Sequence, residues 1–237
     1  MTTIFNAKSP PLNRVWALIP CAGRGARSGS EGPKQYQMVA GRPMVMHTLA
    51  AFGAVTELAG ILVAVSPGDM FLQDLSAPFF VAACGGSTRA QTVFNGLVEL
   101  QQRGADAGDW VLVHDAARCL ITPVLIEGLI QACRMDSVGG LLAVKLPDTL
   151  KCADGGRAVE TIDRSDKWLA QTPQMFRLGS LQAALSQAGD RATDEASAME
   201  WTGSAPLLVE GSAQNFKVTY PQDFELAQAI LNVRAAT

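Results

Sequence analysis

The chain has 237 residues, 48% of them hydrophobic and 17% charged, with a formal net charge of −3. This composition is typical of a folded globular protein and argues against extended disorder, and the near-neutral balance argues against nucleic-acid binding. There is no run of about 18 apolar residues that could span a membrane, and residues 1–14 lack the apolar core of a signal peptide. We therefore expect a cytoplasmic protein of one domain, residues 1–237, with neither nucleic acid nor a membrane as a partner.

The cysteines and histidines give no sign of a structural metal site. Five cysteines form no C-x-x-C pair, and only two histidines are present. Dispersed thiols of odd number are typical of a reducing cytoplasm, and most are expected to be buried as small hydrophobic residues. The sequence therefore predicts no structural zinc centre.

Short apolar runs alternate with helix-length amphipathic segments over the first part of the chain. This alternation predicts an α/β fold, with a mostly parallel twisted sheet flanked by helices. The runs predicted as buried strands are Val15–Pro20, 60–66, 79–84, 110–114 and 140–146. Three prolines are expected at first helical positions, namely Pro43, Pro67 and Pro123. Ser87 or Thr88 is expected to start another helix, which Gly104 ends.

The alternation stops after residue 147, where the chain becomes polar. Asp154-Gly155-Gly156 is a turn signal between two strand-like runs, which predicts a β-hairpin arm at about residues 148–165, projecting from the sheet. So small a hairpin buries little apolar surface alone, so we expect it to pack on a second subunit as a dimerisation arm. The later predicted elements are a strand at 168–176, helices from about Leu178 and from Thr193, strands at 207–210 and near 215–219, and a closing helix from Pro221.

A glycine-rich loop follows the first strand and carries Gly23, Gly25 and Arg27, with Lys34 shortly after it. Exposed backbone N–H groups together with fixed cations are what a polyphosphate needs. A dinucleotide fingerprint is disfavoured because Ser28 stands where its third glycine should lie, and no P-loop pattern occurs. The loop therefore predicts a nucleotide-phosphate site.

Two further motifs follow later predicted strands, and the carboxyl ends of such strands form the ligand-binding edge of open α/β sheets. Gly85-Gly86 exposes backbone ahead of Thr92, as either a helix-start turn or a base-binding loop. In His114-Asp115-Ala116-Ala117-Arg118, the acid can hold a ribose hydroxyl or magnesium and the arginine can grip a phosphate. A surface Asp–Arg pair is the alternative interpretation.

Two later positions, Thr193-Asp194 and Lys217, allow both a structural and a functional interpretation. Thr193-Asp194 is expected to cap a helix. Lys217 is a lone cation in an apolar segment, which needs an anionic partner if it points inward, because an unpaired buried ammonium is costly.

Taken in order, these motifs closely resemble the 2-C-methyl-D-erythritol 4-phosphate cytidylyltransferase family of the non-mevalonate isoprenoid pathway. The resemblance runs from about Val15 into the final helix. It rests on A-G-x-G-x-R…P-K-Q-Y, G-G-x-x-R, V-H-D-A-A-R, D-T, D-R, T-P-Q, T-D-E-A-S and K-V-T. Departures from the family pattern are Cys21, Ser28, Ser87 and Cys119.

The resemblance implies a Rossmann-like nucleotidyltransferase fold, a homodimer, and transfer of CMP from CTP to a sugar-alcohol phosphate with Mg²⁺ or another divalent cation. It implies that Arg27 and Lys34 stabilise charge on the α-phosphate, and that Arg164, from the partner's arm, and Lys217 position the acceptor. The nucleotide contacts implied are Ala22, Gly23, Gly25, Gly86, Thr92 and Asp115, the last also a metal ligand, directly or through water. Those implied around the acceptor are Arg118, Thr149, Thr172 and Thr193.

Two alternatives stay open at this point. A pentitol phosphate such as ribitol 5-phosphate could replace methylerythritol phosphate as the acceptor, since the CTP half would be shared. A nucleotide-binding module without catalysis is the other, and the presence of the cations argues against it.

Overall fold

The computed structural model describes residues 13–23, 32–73 and 78–236. The strands are β1 (Val15–Pro20), β2 (Met38–Val39), β3 (Arg42–Pro43), β4 (Leu58–Ala64), β5 (Phe80–Ala82), β6 (Trp110–Val113), β7 (Gly139–Lys145), β8 (Leu150–Asp154), β9 (Arg157–Ile162), β10 (Trp168–Arg177) and β11 (Leu207–Glu210). The helices are α1 (Met44–Gly53), α2 (Arg89–Gln102), α3 (Pro123–Arg134), α4 (Leu178–Ala188), α5 (Glu195–Trp201) and α6 (Pro221–Ala235).

Seven strands form the central sheet in the order β11-β7-β10-β6-β1-β4-β5. β10 runs antiparallel to both of its neighbours, whereas the other neighbouring strands pair in parallel. In β1, Ala17 and Ile19 pack in one core cluster and Trp16 and Leu18 in another. Helices cover both faces of the sheet, which explains why the strand is apolar without alternation. The predicted mostly parallel α/β sheet is confirmed.

Local signals explain where the helices begin. The Thr88 hydroxyl accepts a hydrogen bond from the Gln91 amide at 3.1 Å, and Thr122 caps α3 in the same way ahead of Pro123. Asp194 caps α5, so that helix begins at Glu195, slightly later than predicted. No described helix is both long and apolar enough to cross a membrane.

Two predicted elements are wrong. Pro67 starts a turn and no helix, because Gly68 takes a φ of +81° that an α-helix cannot continue. Residues 215–219 form no strand, although Val218 N–H donates to the Ala117 carbonyl at 2.9 Å. The Asn215 side chain instead donates to the carbonyl of Thr172, so the segment crosses the sheet edge as an ordered loop. Pro43 lies one residue before α1.

The predicted hairpin is present as β8 and β9, which pair only with each other among the described strands. Residues 151–161 are exposed throughout. Because neither face of this two-stranded ribbon is covered, its stability in isolation is expected to be marginal. Its predicted role as a dimerisation arm stays a prediction.

Substitution of Gly139 tests the close packing between β7 and β10. Its φ is +106°, and a Cβ there would lie 2.2 Å from the Met175 carbonyl oxygen. We expect Gly139→Ala to lower the free energy of unfolding by about 2 kcal/mol or more, because it adds backbone strain to a steric clash. Urea denaturation measures this.

The matched control is Gly128→Ala in α3, where an added Cβ meets nothing within 4 Å. Alanine has the higher helix propensity, so this variant should gain up to about 1 kcal/mol. Equal stability of the two variants would contradict the packing described for Gly139.

Candidate functional site

A cavity of about 290 Å³ opens at the carboxyl ends of β1 and β6. Parallel strands whose order reverses leave such a crevice at this edge of a sheet. Four loops surround it, following β1, β5, β6 and β11 respectively. The lining residues are 20–23, Lys34, Gln35, 86–89, Thr92, 115–117 and Lys217.

A line of four alternating charges runs along one wall of the cavity. Glu195 is fully buried and accepts from both terminal nitrogens of Arg89, at 2.7 and 3.0 Å. Arg89 Nε donates to Asp115 Oδ1 at 2.8 Å, and Lys217 Nζ lies 2.6 Å from Asp115 Oδ2. The two carboxylates and two cations cancel in formal charge. Lys217 therefore points inward, and Asp115 supplies the anionic partner that the sequence required.

Burial would raise the pKa of Asp115, but the neighbouring Arg89 and Lys217 outweigh it and hold the pKa well below its usual range. Burial also raises the pKa of Glu195, against the effect of Arg89. The desolvation of His114 lowers its pKa to about 3. The imidazole is therefore neutral at physiological pH.

Lys34 enters the cavity from a short turn, Lys34–Tyr36, that is anchored on both sides. The Gln35 side chain donates to the Cys21 carbonyl at 2.9 Å, and the Tyr36 hydroxyl donates to Asp69 at 2.7 Å. Lys34 Nζ donates to the Val218 carbonyl. This last contact ties the first cation to the loop that carries Lys217.

Gly85 and Gly86 permit the close approach of the loops after β1 and β5. A Cβ on Gly85 would lie 2.4 Å from the Ala22 Cβ, and one on Gly86 would lie 2.3 Å from Gln91. Thr92 Oγ1 accepts from the Gly86 amide at 3.0 Å and so fixes the turn. Backbone is thereby brought to the cavity, which side chains at these positions would block.

The structure brings most of the predicted nucleotide contacts together. Seven of the predicted site residues line the cavity: Ala22, Gly23, Lys34, Gly86, Thr92, Asp115 and Lys217. Gly25 and Arg27 lie outside the described residues, as does Ser28.

Apart from Lys217, the residues predicted for the acceptor lie outside the cavity lining. The Arg118 guanidinium donates to the carbonyls of Asn215 and Ala170, at 2.8 and 3.2 Å. Thr172 Oγ1 accepts from the Asp115 amide at 3.0 Å and lies 3.1 Å from His114 Nδ1. Thr149, Arg164 and Thr193 are exposed.

Sequence reasoning missed Arg89 and Glu195 as site residues. Arg89 was visible as the last residue of G-G-x-x-R, and Glu195 lies in a segment interpreted as a helix cap. An acidic residue is common in the first turn of an exposed helix, where it interacts favourably with the helix dipole. The sequence therefore gives no sign that Glu195 is buried. Gln35 was likewise visible only as part of the P-K-Q-Y motif.

The sheet topology defines a Rossmann-like α/β protein. The glycine-rich turns and the two lysines at the carboxyl edge of the sheet, Lys34 and Lys217, suit a phosphorylated ligand. Comparison with known proteins narrows this class. Residues 15–233 match the family model of 2-C-methyl-D-erythritol 4-phosphate cytidylyltransferase. The chain belongs to this family.

The relatives agree with that assignment. The chain is 64% identical over 232 residues to a bifunctional IspD/IspF enzyme of Albidiferax ferrireducens, covering 97% of this chain and 56% of the relative. It is 52% identical to the 2-C-methyl-D-erythritol 4-phosphate cytidylyltransferase of Paraburkholderia phymatum, covering 94% and 99%. A crystal structure of 4-diphosphocytidyl-2C-methyl-D-erythritol synthase superposes with a TM-score of 0.83 at 40% identity, covering 92% and 98%.

Thiol reactivity tests the burial of Cys21 beneath the cavity. Burial raises the pKa of Cys21 to about 12 and that of Cys119 to about 11, so the reactive thiolate is scarce near neutral pH. We expect a maleimide at about pH 7.5 to modify the exposed Cys152 quickly and to reach Cys21 only after unfolding. Peptide mass spectrometry locates the label.

The control is Cys152→Ser, which should remove the rapidly labelled site without changing the slow ones. Rapid modification of Cys21 in the native protein would show that the floor of the cavity is open.

Proposed function

We propose that this protein transfers CMP from CTP to 2-C-methyl-D-erythritol 4-phosphate, giving 4-diphosphocytidyl-2-C-methyl-D-erythritol and pyrophosphate. The observation that carries the proposal is the placement of Lys34 and Lys217 in one cavity beside Asp115, between glycine turns at the carboxyl edge of the sheet. Membership of the cytidylyltransferase family supports the identity of both substrates.

The reaction needs positioned positive charge more than it needs a base. An oxygen of the acceptor phosphate attacks the α-phosphorus of CTP, the new P–O bond forms, and pyrophosphate leaves with the electrons of the broken bond. Since the attacking phosphate oxygen already carries a negative charge, the reaction needs no general base. The neutral His114 therefore has no proton to remove from the acceptor. The barrier lies in bringing two anions together, and fixed cations stabilise the charge that develops.

We assign the phosphate-handling roles to four cations. Lys34, with Arg27, stabilises the α-phosphate, and Lys217, with Arg164, positions the acceptor phosphate. The ion pair with Asp115 supports the assignment of Lys217, because it holds the ammonium at the cavity wall. The Lys217 side chain is 39% exposed there. A phosphate that enters the cavity can therefore contact the Lys217 ammonium while Asp115 stays paired with it.

We assign the nucleotide to the turns around Ala22, Gly23, Gly25 and Gly86, with Thr92 and Asp115. Gly86 and Ala22 support this assignment because their loops present backbone to the cavity. Such backbone can read a base edge and leave room for the ribose, which we assign to Asp115 in the cavity wall.

We assign the methylerythritol moiety to Arg118, Thr149, Thr172 and Thr193. Arg118 supports this assignment, because it follows the cavity-lining residues 115–117 and the carbonyls of Asn215 and Ala170 hold its guanidinium.

Asp115 supplies one carboxylate of the kind that a magnesium site uses. It is the only carboxylate among the described residues that line the cavity, and no described group of three or more metal-ligating side chains exists. Its two oxygens bind Arg89 and Lys217 but keep further lone pairs. Mg²⁺ usually takes one or two carboxylates together with substrate phosphates and water. When bound, Mg²⁺ would neutralise phosphate charge, held by Asp115 directly or through water.

We also propose a homodimer in which the β8–β9 hairpin brings Arg164 to the partner's cavity. The exposure of residues 151–161 supports this, as does the position of Arg164 outside the cavity of its own chain. Five free cysteines support a reducing, cytoplasmic location.

A pyrophosphate-release assay tests the proposed reaction. We expect turnover that requires CTP, Mg²⁺ and 2-C-methyl-D-erythritol 4-phosphate together. Lys34→Gln and Lys217→Gln should each lower kcat on the order of 10²- to 10³-fold, because each removes one preorganised charge from the transition state.

Ribitol 5-phosphate in the same assay is the control for the acceptor, and it should be a much poorer substrate. Preferred use of the pentitol phosphate would overturn the acceptor assignment, and CTP binding without any turnover would overturn the reaction.

Mixing two inactive variants tests the shared site. If Arg164 acts across the dimer, Arg164→Ala and Lys217→Gln protomers complement each other, because a heterodimer contains one intact site. Subunit exchange should then restore about a quarter of the wild-type activity.

The control is a mixture of Lys34→Gln with Lys217→Gln, whose defects lie in the same cavity and cannot complement within a heterodimer in this way. Failure of the Arg164 mixture, with exchange verified by native mass spectrometry, would place Arg164 in its own chain's site.

A further inference from the structure

The Arg89–Glu195 pair lies behind the cations and is unexplained by the reaction itself. Glu195 is fully buried and does not line the cavity. It reaches the cavity only through Arg89, whose guanidinium it binds with both oxygens. Burying an ion pair is a poor way to gain stability, since apolar residues of similar volume often do as well or better. The pair therefore calls for a role beyond packing.

Arg89 occupies a junction between separate parts of the chain. It is the first residue of α2, it binds Asp115 after β6, and it binds Glu195 in the first turn of α5. Asp115 in turn holds Lys217, which comes from the loop before α6. One planar guanidinium thus sets the direction of a carboxylate on which a phosphate-handling cation depends.

The first turn of α5 is rigid independently of Arg89. The side chain of the buried Gln174 donates to Asp194 at 2.8 Å and accepts from the Ala196 amide at 2.7 Å. Asp194 and Ser197 complete a capping box. These contacts hold the backbone on both sides of Glu195 without using Arg89, so Glu195 can anchor the guanidinium.

We propose that Arg89 and Glu195 are positioning residues that act as one unit. Together they fix the Asp115 carboxylate and, through it, the Lys217 ammonium at the cavity wall. This rests on the proposed function, because positioning is defined by its effect on nucleotidyl transfer. The planar fork of arginine is needed, since lysine cannot bind two carboxylates in fixed directions.

The test compares Arg89→Gln, Glu195→Gln and the double variant by kcat, KM for CTP, and urea midpoint. Both single variants should lower kcat by about 10- to 100-fold, as expected for the loss of a supporting partner or for a displacement of about 1 Å. The two substitutions change the local charge in opposite directions, so a simple field effect would move kcat oppositely. The double variant should lie within about threefold of the worse single variant, because coupled residues are not additive.

Asp109→Asn is the matched control. Asp109 is also buried, and it accepts from the Arg14 amide at 2.9 Å and from Trp16 Nε1 at 3.0 Å, at the opposite end of β6. This variant should lower the urea midpoint and leave kcat per folded molecule unchanged. If Arg89→Gln does not fold, Arg89→Lys keeps the charge without the fork and should still lower kcat.

Three results would overturn the proposal: a change in stability with unchanged kcat in the foldable variants, opposite changes of kcat in the two single variants, or multiplicative losses in the double variant. Wild-type protein that does not turn over would instead contradict the proposed function. Active wild type with equally active variants contradicts the positioning pair alone.

Discussion

Two carboxylates, Asp115 and Glu195, are buried beside the cavity, and the guanidinium of Arg89 lies between them. Neither carboxylate could stay ionised there alone, because burial without a partner favours the protonated form. Arg89 alone would leave an excess of negative charge, which Lys217 balances at the cavity wall. The position of the Lys217 ammonium is therefore a consequence of how two acids are accommodated in the interior.

The cleft is assembled from loops that are distant in sequence, and each is held by contacts to another. Lys34 donates to the Val218 carbonyl, and Gln35 donates to the Cys21 carbonyl. The Thr172 hydroxyl joins the Asp115 amide to the neutral His114. These contacts use backbone carbonyls and amides, so each loop fixes the position of another around the cavity.

The fold could be predicted from the sequence because buried parallel strands are continuous apolar runs. Val15–Pro20 is found as expected, and the run predicted at 110–114 is found as the buried strand Trp110–Val113. The errors occur where backbone conformation is set by context: Gly68 turns the chain after Pro67, and residues 215–219 follow side-chain hydrogen bonds across the sheet edge. Motif residues such as Ala22, Gly86 and Lys34 line the cavity. They could not reveal the Arg89–Glu195 pair, since burial of an acid depends on packing between helices far apart in the chain.

The antiparallel insertion of β10 between β6 and β7 has a consequence for the order in which the chain can fold. β6 pairs with β1, about 95 residues upstream, and with β10, about 65 residues downstream, so contacts of high sequence separation complete the centre of the sheet. During synthesis, Asp115 and Arg89 emerge long before Glu195 and Lys217. Arg89 and Asp115 balance each other in the nascent chain, and Glu195 then adds a negative charge without a partner. The cleft regains electrical balance only when its last loop, with Lys217, docks.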